Sequence, residues 1–224
     1  MQLTIRDVAK MLKVPEGNIT HWIETEELPA YKIHDQYRFN RAELLEWISA
    51  HSMPVPAELF PNGEAAAALS LVNVLDAGGI FYGLKGRDKP AVLNAMVELI
   101  PLPPAADRGH LLQILLAREA MASTGLGDGI AVPHVRNPVI FPVVRPAVML
   151  FFLETAVDFG ALDGKPVRCL FTLVSPTVRA HLQLLSRLAF VLRDPAFKSH
   201  LQKQSEKEIL LKALRAAESK FKPC

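Results

Sequence analysis

The hydrophobic and polar positions of residues 64–222 follow two alternating patterns. Apolar residues at helical spacing predict helices over 64–76, 90–100, 107–122, 176–192, 195–202 and 206–219. Short, continuous apolar runs predict strands over 129–134, 148–154 and 167–174. This alternation is typical of a layered α/β fold, and strands that are apolar throughout indicate a sheet with helices on both faces.

The first 52 residues follow a shorter pattern. The predicted elements, in chain order, are helix 4–12, turn 13–15, helix 16–25, a hairpin of 31–33 and 37–39, and helix 40–50. Pro15 ends the first helical pattern, and Asn40 with Glu43 forms a capping pair that begins the last helix. The order is helix, turn, helix, wing, helix.

A break in all periodic patterns separates these two regions. Residues 53–63 contain Pro54, Pro56, Pro61 and Gly63, which favour turns and extended chain over regular structure. We therefore expect a small domain over 1–52, a proline-rich linker over 53–63 and a larger domain over 64–222.

Composition agrees with this division. The chain has 224 residues, 50% of them hydrophobic, which is enough for one sizeable core and a small accessory domain. Its formal charge of +2 is too small to indicate a strongly charged partner. Cys169 and Cys224 are expected to be free thiols, as in a reducing compartment. The start of the chain lacks the apolar core of a signal peptide, and no apolar run approaches the ~20 residues of a membrane helix. We expect a cytoplasmic protein with no membrane insertion.

The segment STGLGDGIAVPH over 123–134 is the strongest candidate for chemistry. Gly125, Gly127 and Gly129 would let the backbone approach an anion and turn N–H groups toward it. Pro133 keeps the chain extended, so that His134 can face a cleft. A neutral imidazole can attack phosphorus with one nitrogen while a hydrogen bond orients the other. The alternative is a glycine-rich connection followed by an incidental histidine.

Two further residues could support such a reaction. Arg118 follows the apolar stripe of its predicted helix and would stabilise phosphoryl charge; alternatively, it is a cation that interacts with the carbonyls at a helix end. His181 lies in a helix for which Ser175 and Pro176 are the expected N-cap and first residue. Alternatively, His181 is a histidine at the edge of the core.

Several motifs resemble the mannitol/fructose-type enzyme IIA domains of the bacterial sugar phosphotransferase system, and within that family the nitrogen-regulatory branch. They are the segment 123–134, the preceding Arg118-Glu119, YGLKGRDK over 82–89, HLQLLS over 181–186 and LRDP over 192–195. The resemblance implies a mixed β-sheet flanked by helices. It also implies that His134 accepts a phosphoryl group on Nε2 from a histidine phosphocarrier resembling HPr. His181 matches the second active-site histidine, while Ser123 and Thr124 match polar loop residues with a phosphate-binding or structural role.

Residues 1–52 resemble the excisionase/MerR-like winged helix-turn-helix domain, which implies DNA binding through the second helix. The charge argues against this, because residues 1–53 contain six basic and eight acidic residues, with Glu16 and Glu24 on the presumed recognition helix. The remaining candidates for DNA contact are Asn18, Thr20, His21, Lys32 and Arg38. A protein-docking or dimerisation module is the alternative.

The sequence lacks the motifs of metal-binding and nucleotide-binding sites. No His-x-His, HExxH or Cys-x-x-Cys spacing predicts a metal site, and the glycine segment lacks the Gly-Lys-Ser/Thr of a nucleotide-binding loop. We expect no cofactor and a protein as the phosphoryl donor. The sequence favours a regulatory phosphoryl acceptor with a target protein that it does not identify. The alternatives are a non-catalytic transcriptional regulator or adaptor that uses the fold for binding, and a IIA component coupled to sugar transport.

Overall fold

The computed structural model describes residues 3–25, 28–33, 35–51, 53, 56, 69–104, 106–135, 143 and 145–221. They form two compact units, one within residues 3–56 and one within residues 69–221, which we describe separately. Within these ranges, no helix combines the length and the apolar character needed to cross a membrane.

The N-terminal unit has the predicted order of elements. They are α1 (Ile5–Leu12), α2 (Glu16–Glu24), β1 (Tyr31–Ile33), β2 (Gln36–Arg38) and α3 (Arg41–Ala50). Thr4 caps α1 and forms a capping box with Asp7, and Lys13 ends the helix in the left-handed conformation at φ 57°. The wing strands pair antiparallel. Buried apolar side chains that include Val8, Ile19 and Phe39 form a core between these elements.

The second unit is an α/β sandwich around a mixed sheet, as predicted. Its helices are α4 (Leu71–Gly78), α5 (Lys89–Leu99), α6 (Arg108–Met121), α7 (Val178–Val191), α8 (Pro195–Gln202) and α9 (Lys207–Glu218). Its strands are β3 (Ile80–Leu84), β4 (Gly125–Gly127), β5 (Ile130–Ala131), β6 (Ala147–Val157) and β7 (Val167–Val174). The spatial order of the strands is β3-β6-β7-β5-β4.

Strand direction brings two chain segments together at one end of this sheet. The pair β5–β7 is parallel, with Ala131 beside Leu170, whereas β6–β7 and β4–β5 are antiparallel. The carboxyl ends of β5 and β7 therefore lie side by side. The chain after β5 leads to His134, and the chain after β7 leads to α7 and His181.

Helices cover both faces of the sheet. The apolar side chains of α5 and α6 form one cluster with Met149, Phe151 and Leu170. The alternate residues of β6 are buried too, as Val148 and Phe152 show, and α4 and α7 pack against β6 and β7. Because helices cover both faces of the sheet, the sequences of β6 and β7 are apolar at most positions.

The structure corrects several element boundaries. The strand predicted over 129–134 is only Ile130–Ala131. The helix predicted over 64–76 is Leu71–Gly78, and the beginning of that prediction lies outside the described residues. Helix α7 begins at Val178, not at Pro176, because the side chain of Thr177 accepts the hydrogen bond from the Ala180 N–H. Strands β3 and β4 were not predicted.

Candidate functional site

His134 lies in extended chain just beyond β5, with only 2% of its surface exposed. Its Nδ1 is 2.6 Å from the carbonyl oxygen of Val132. Because a carbonyl oxygen can only accept a hydrogen bond, Nδ1 must carry the proton. The lone pair of the neutral ring is therefore on Nε2.

The environment keeps the His134 ring neutral. Burial lowers the pKa of His134 to about 4, and the positive charge of Arg118 acts in the same direction. The hydrogen bond to Val132 and the negative charge of Glu119 oppose this shift without reversing it. At neutral pH, Nε2 is thus an unprotonated nitrogen, as a nucleophile requires.

His181 lies beside His134. The two ring centroids are 5.3 Å apart, with an angle of 44° between the ring planes. The side chain is fully buried, and neither ring nitrogen has a hydrogen-bond partner among the described residues. Burial, with a smaller contribution from His134, lowers the pKa of His181 to about 3. We expected a site residue or a histidine at the edge of the core, and the structure places it in the interior, against His134.

Arg118 lies in the last turn of α6 and is 7% exposed, which makes it more buried than a residue at the border of the core. Its Nη1 donates a 2.7 Å hydrogen bond to the carbonyl oxygen of Ala122, as expected for a cation at a helix end. Its charge also lowers the pKa of His134. The two interpretations of Arg118 are therefore compatible.

The hydroxyls of Ser123 and Thr124 bond to protein groups. Ser123 Oγ donates to the carbonyl oxygen of Phe159 at 2.7 Å and accepts from the Gly125 N–H at 3.0 Å. Thr124 Oγ1 donates to a carboxylate oxygen of Glu119 at 2.6 Å. Both hydroxyl protons are thus used within the protein, which favours the structural role for these residues. Phosphate binding by them stays a prediction.

The three glycines build a tight hairpin between β4 and β5. Gly127 and Gly129 have φ values of +90° and +77°, which side-chain-bearing residues rarely adopt. At Gly125, a Cβ atom would lie 2.8 Å from the Cβ of Ala161. The hairpin alone accounts for glycine at these positions, and their contact with an anion stays a prediction.

Glu119 and Lys89 belong to the same region, although we assigned them no role from the sequence. The Glu119 carboxylate is buried and lies 3.3 Å from Lys89 Nζ. Both residues occurred in the motifs that carried the family resemblance. The sequence also contains a pattern that indicates burial of Glu119. This residue continues the four-residue spacing of Leu111 and Leu115, so its carboxylate lies on the buried face of α6.

The other two histidines and the described cysteine of this unit have no contact with the histidine pair among the described residues. His110 is exposed, and the His200 ring bonds to Ser205 Oγ at 3.1 Å. Burial raises the pKa of the free Cys169 thiol to about 12. Within the described part of the chain, no three His, Cys, Asp or Glu side chains form a group that could hold a metal ion.

The candidate DNA-contacting residues lie on α2 and on the wing. Asn18 and His21 are exposed, whereas Thr20 is partly buried and bonds to the carbonyl oxygen of Glu16. Lys32 pairs with Asp35 at 2.9 Å, and an Arg38 nitrogen lies 2.6 Å from the Gln36 side-chain oxygen. The two wing cations therefore already have polar neighbours.

Comparison with known proteins identifies the class of each unit. Residues 73–217 match the family described as "Phosphoenolpyruvate-dependent sugar phosphotransferase system, EIIA 2", and the chain belongs to this family. Residues 3–52 match a helix-turn-helix domain. Members of the EIIA family act as components of phosphotransfer relays.

Within this class, the chain is similar to nitrogen regulatory proteins. It is 33% identical over 145 residues to the nitrogen regulatory protein of Pseudomonas aeruginosa, covering 63% of this chain and 92% of that protein. It is 32% identical over 146 residues to the nitrogen regulatory protein of Klebsiella oxytoca, covering 64% and 89%. The crystal structure of nitrogen regulatory protein IIA-Ntr from Neisseria meningitidis superposes with a TM-score of 0.55 at 26% identity, covering 64% of this chain and 98% of that one.

Proposed function

We propose that the second unit accepts a phosphoryl group on His134 Nε2 from an HPr-like histidine phosphocarrier. The observation that carries the proposal is the hydrogen bond from Nδ1 to the Val132 carbonyl oxygen, at 2.6 Å. It assigns the proton to Nδ1 and leaves the lone pair on Nε2, in a ring whose pKa of about 4 keeps it neutral at pH 7. Membership in the EIIA family supports the same chemistry.

The transfer step requires no proton movement at His134. The Nε2 lone pair forms the new bond to phosphorus as the bond between phosphorus and the carrier's ring nitrogen breaks. The electron pair of the broken bond stays on the carrier's nitrogen. His134 then carries the phosphoryl group on Nε2 and keeps its Nδ1 proton, which remains bonded to Val132. The positive charge gained by the ring strengthens that hydrogen bond.

Arg118 and His181 would stabilise the transferred group. A phosphoryl group in transit spreads charge over its equatorial oxygens, so fixed donors and cations nearby speed the transfer. Arg118 supplies a buried positive charge that already acts on His134. The 5.3 Å distance between the ring centroids supports a role for His181 beside a group on Nε2. A phosphoryl oxygen would accept a hydrogen bond from the protonated one of its two buried ring nitrogens.

We further propose a regulatory output rather than coupling to sugar transport. Nitrogen regulatory proteins are among the relatives of the chain, and residues 3–52 match a helix-turn-helix domain, which together support a regulatory output. In this proposal, residues 1–52 form the output domain, 53–63 the linker and 64–222 the phosphoryl acceptor. DNA is the proposed partner of the output domain, through exposed residues such as Asn18 and His21.

Labelling through a phosphoenolpyruvate-driven carrier relay tests the acceptor. We expect the wild-type protein to take up acid-labile, base-stable phosphate, and His134→Ala to take up none. His110→Ala is the matched control, because His110 is exposed and lies in the first turn of α6, at the opposite end of that helix from Arg118. Undiminished labelling of the His134→Ala protein would reject His134 as the acceptor.

A further inference from the structure

The Glu119 carboxylate is the centre of a buried hydrogen-bond network. Its side chain is 4% exposed, and it accepts the Thr124 N–H at 3.2 Å and the Thr124 hydroxyl at 2.6 Å. Lys89 Nζ provides the opposite charge at 3.3 Å. A buried carboxylate costs free energy unless donors and a cation surround it, and these contacts supply both.

The network continues through two backbone groups to the proposed acceptor. The carbonyl oxygen of Thr124 accepts the Val132 N–H at 3.0 Å. The carbonyl oxygen of the same Val132 accepts the His134 Nδ1 proton at 2.6 Å. Both backbone bonds involve the segment that immediately precedes the acceptor. Thr124 therefore helps to fix where the Val132 carbonyl lies, together with Thr172, whose hydroxyl donates a 2.7 Å hydrogen bond to the next carbonyl oxygen, that of Pro133.

Lys89 is also fixed in place. Its Nζ donates a 2.9 Å hydrogen bond to the Phe159 carbonyl oxygen, the same oxygen that accepts from Ser123 Oγ. The Lys89 side chain is 29% exposed, so the ion pair lies at the edge of the interior. Lys89 thus joins the start of α5, the end of α6 and the loop before β4.

We propose that Glu119, with Lys89 as its counter-ion, is a positioning residue for phosphoryl transfer: through Thr124 it holds the Val132 carbonyl that selects Nε2 of His134 as the nucleophile. This proposal rests on the proposed function of His134. Glu119 acts through Thr124 and Val132, and it does not contact the transferred group. Its loss would let the Val132 carbonyl move and would release the constraint on the His134 ring.

The substitution Glu119→Gln keeps the size of the side chain and removes its charge. The amide can accept one of the two Thr124 donors, but its NH₂ group then faces Lys89 or the other donor without an acceptor. We expect the rate of phosphorylation by the carrier to fall about 10- to 100-fold, since displacement of a reacting group by ~1 Å can cost about 10² in rate.

The tautomer of His134 is a readout that a general loss of stability would not change. In the unphosphorylated wild-type protein, ¹⁵N chemical shifts of the ring should report a protonated Nδ1. In folded Glu119→Gln and Thr124→Val, they should report a mixture of tautomers, whereas Thr124→Ser, which keeps the hydroxyl, should behave like the wild type. Lys89→Gln should resemble Glu119→Gln, and Lys89→Arg should restore the rate.

The matched control is Lys207→Gln, which breaks the exposed ion pair with Asp76 and should change neither readout. If Glu119→Gln does not fold, the variants of the partly exposed Lys89 and of Thr124 provide the test. Wild-type rates together with an unchanged Nδ1 tautomer in these variants would overturn the proposal. A wild-type protein that is never phosphorylated would overturn the proposed function, and the tautomer of the variants would still test the network separately.

Discussion

His134 and His181 form a buried pair of imidazoles whose ring centroids are 5.3 Å apart. Burial lowers the pKa of His134 to about 4 and that of His181 to about 3, so both rings are neutral at pH 7. Two neutral rings can lie this close without repulsion. A phosphoryl group on His134 would add negative charge beside His181 and would favour proton uptake there.

The depressed pKa of His134 predicts a pH dependence of stability. In the unfolded chain the ring takes up a proton near pH 6.5, whereas in the folded protein it does so only near pH 4. The unfolded state therefore binds more protons between these values, and the free energy of unfolding falls as the pH drops from about 6.5 to about 4. The contribution of His134 is about 3 kcal/mol.

Urea unfolding at pH 7 and pH 5 measures this effect. The difference in unfolding free energy between the two pH values should shrink in His134→Gln, because one of the groups responsible is gone. His110→Gln, an exposed histidine substitution outside the histidine pair, is the control for the loss of an imidazole. An equal pH dependence in the wild type and in His134→Gln would mean that the His134 ring is protonated in the folded state as readily as in the unfolded chain.

Arg118→Gln should impair both transfer and stability. Loss of one electrostatic contact to a transition state typically costs on the order of 10²–10³ in rate. The guanidinium is also buried and bonds to the Ala122 carbonyl, so we expect the free energy of unfolding to fall by about 1–3 kcal/mol. Single-turnover phosphorylation and urea unfolding of the same preparation separate the two effects. A normal transfer rate would restrict Arg118 to its role at the helix end.

The helix-turn-helix unit should bind DNA weakly and with a steep salt dependence. Glu16 and Glu24 on α2 oppose phosphate contacts, so we expect Lys32 and Arg38 of the wing to provide cations that bind phosphate. In fluorescence anisotropy with the full chain, Lys32→Gln should weaken binding and lower the salt slope by about 1. Lys212→Gln, an exposed change in the other unit, is the control. No binding at low salt would favour protein docking.

The sequence predicts the central strands β6 and β7 of the second unit because both are long and apolar. It predicts most helices of this unit because their apolar residues recur at helical spacing. It does not predict β3, where Tyr82 and Gly83 are exposed at a sheet edge, or β4, which is Gly-Leu-Gly. Short strands of this kind form because a neighbouring strand pairs with them, and no local pattern records that pairing.

At the site, the sequence identifies both histidines and Arg118 as candidates, and the structure brings the two rings together. It does not predict the proton on Nδ1, since that depends on where the backbone carbonyl of Val132 lies after folding. The burial of Arg118 was also missed. Its helical position suggests the border of the core, and only tertiary packing determines how much of the side chain is covered.

The most direct test of the account is the position of the phosphoryl group. After phosphorylation through the carrier relay, ³¹P and ¹⁵N NMR of the ¹⁵N-histidine-labelled protein identify the modified ring and the nitrogen bonded to phosphorus. We expect a single phosphohistidine at His134, with phosphorus on Nε2 and the proton on Nδ1. Phosphorus on Nδ1 of His134, or on His181, would contradict it.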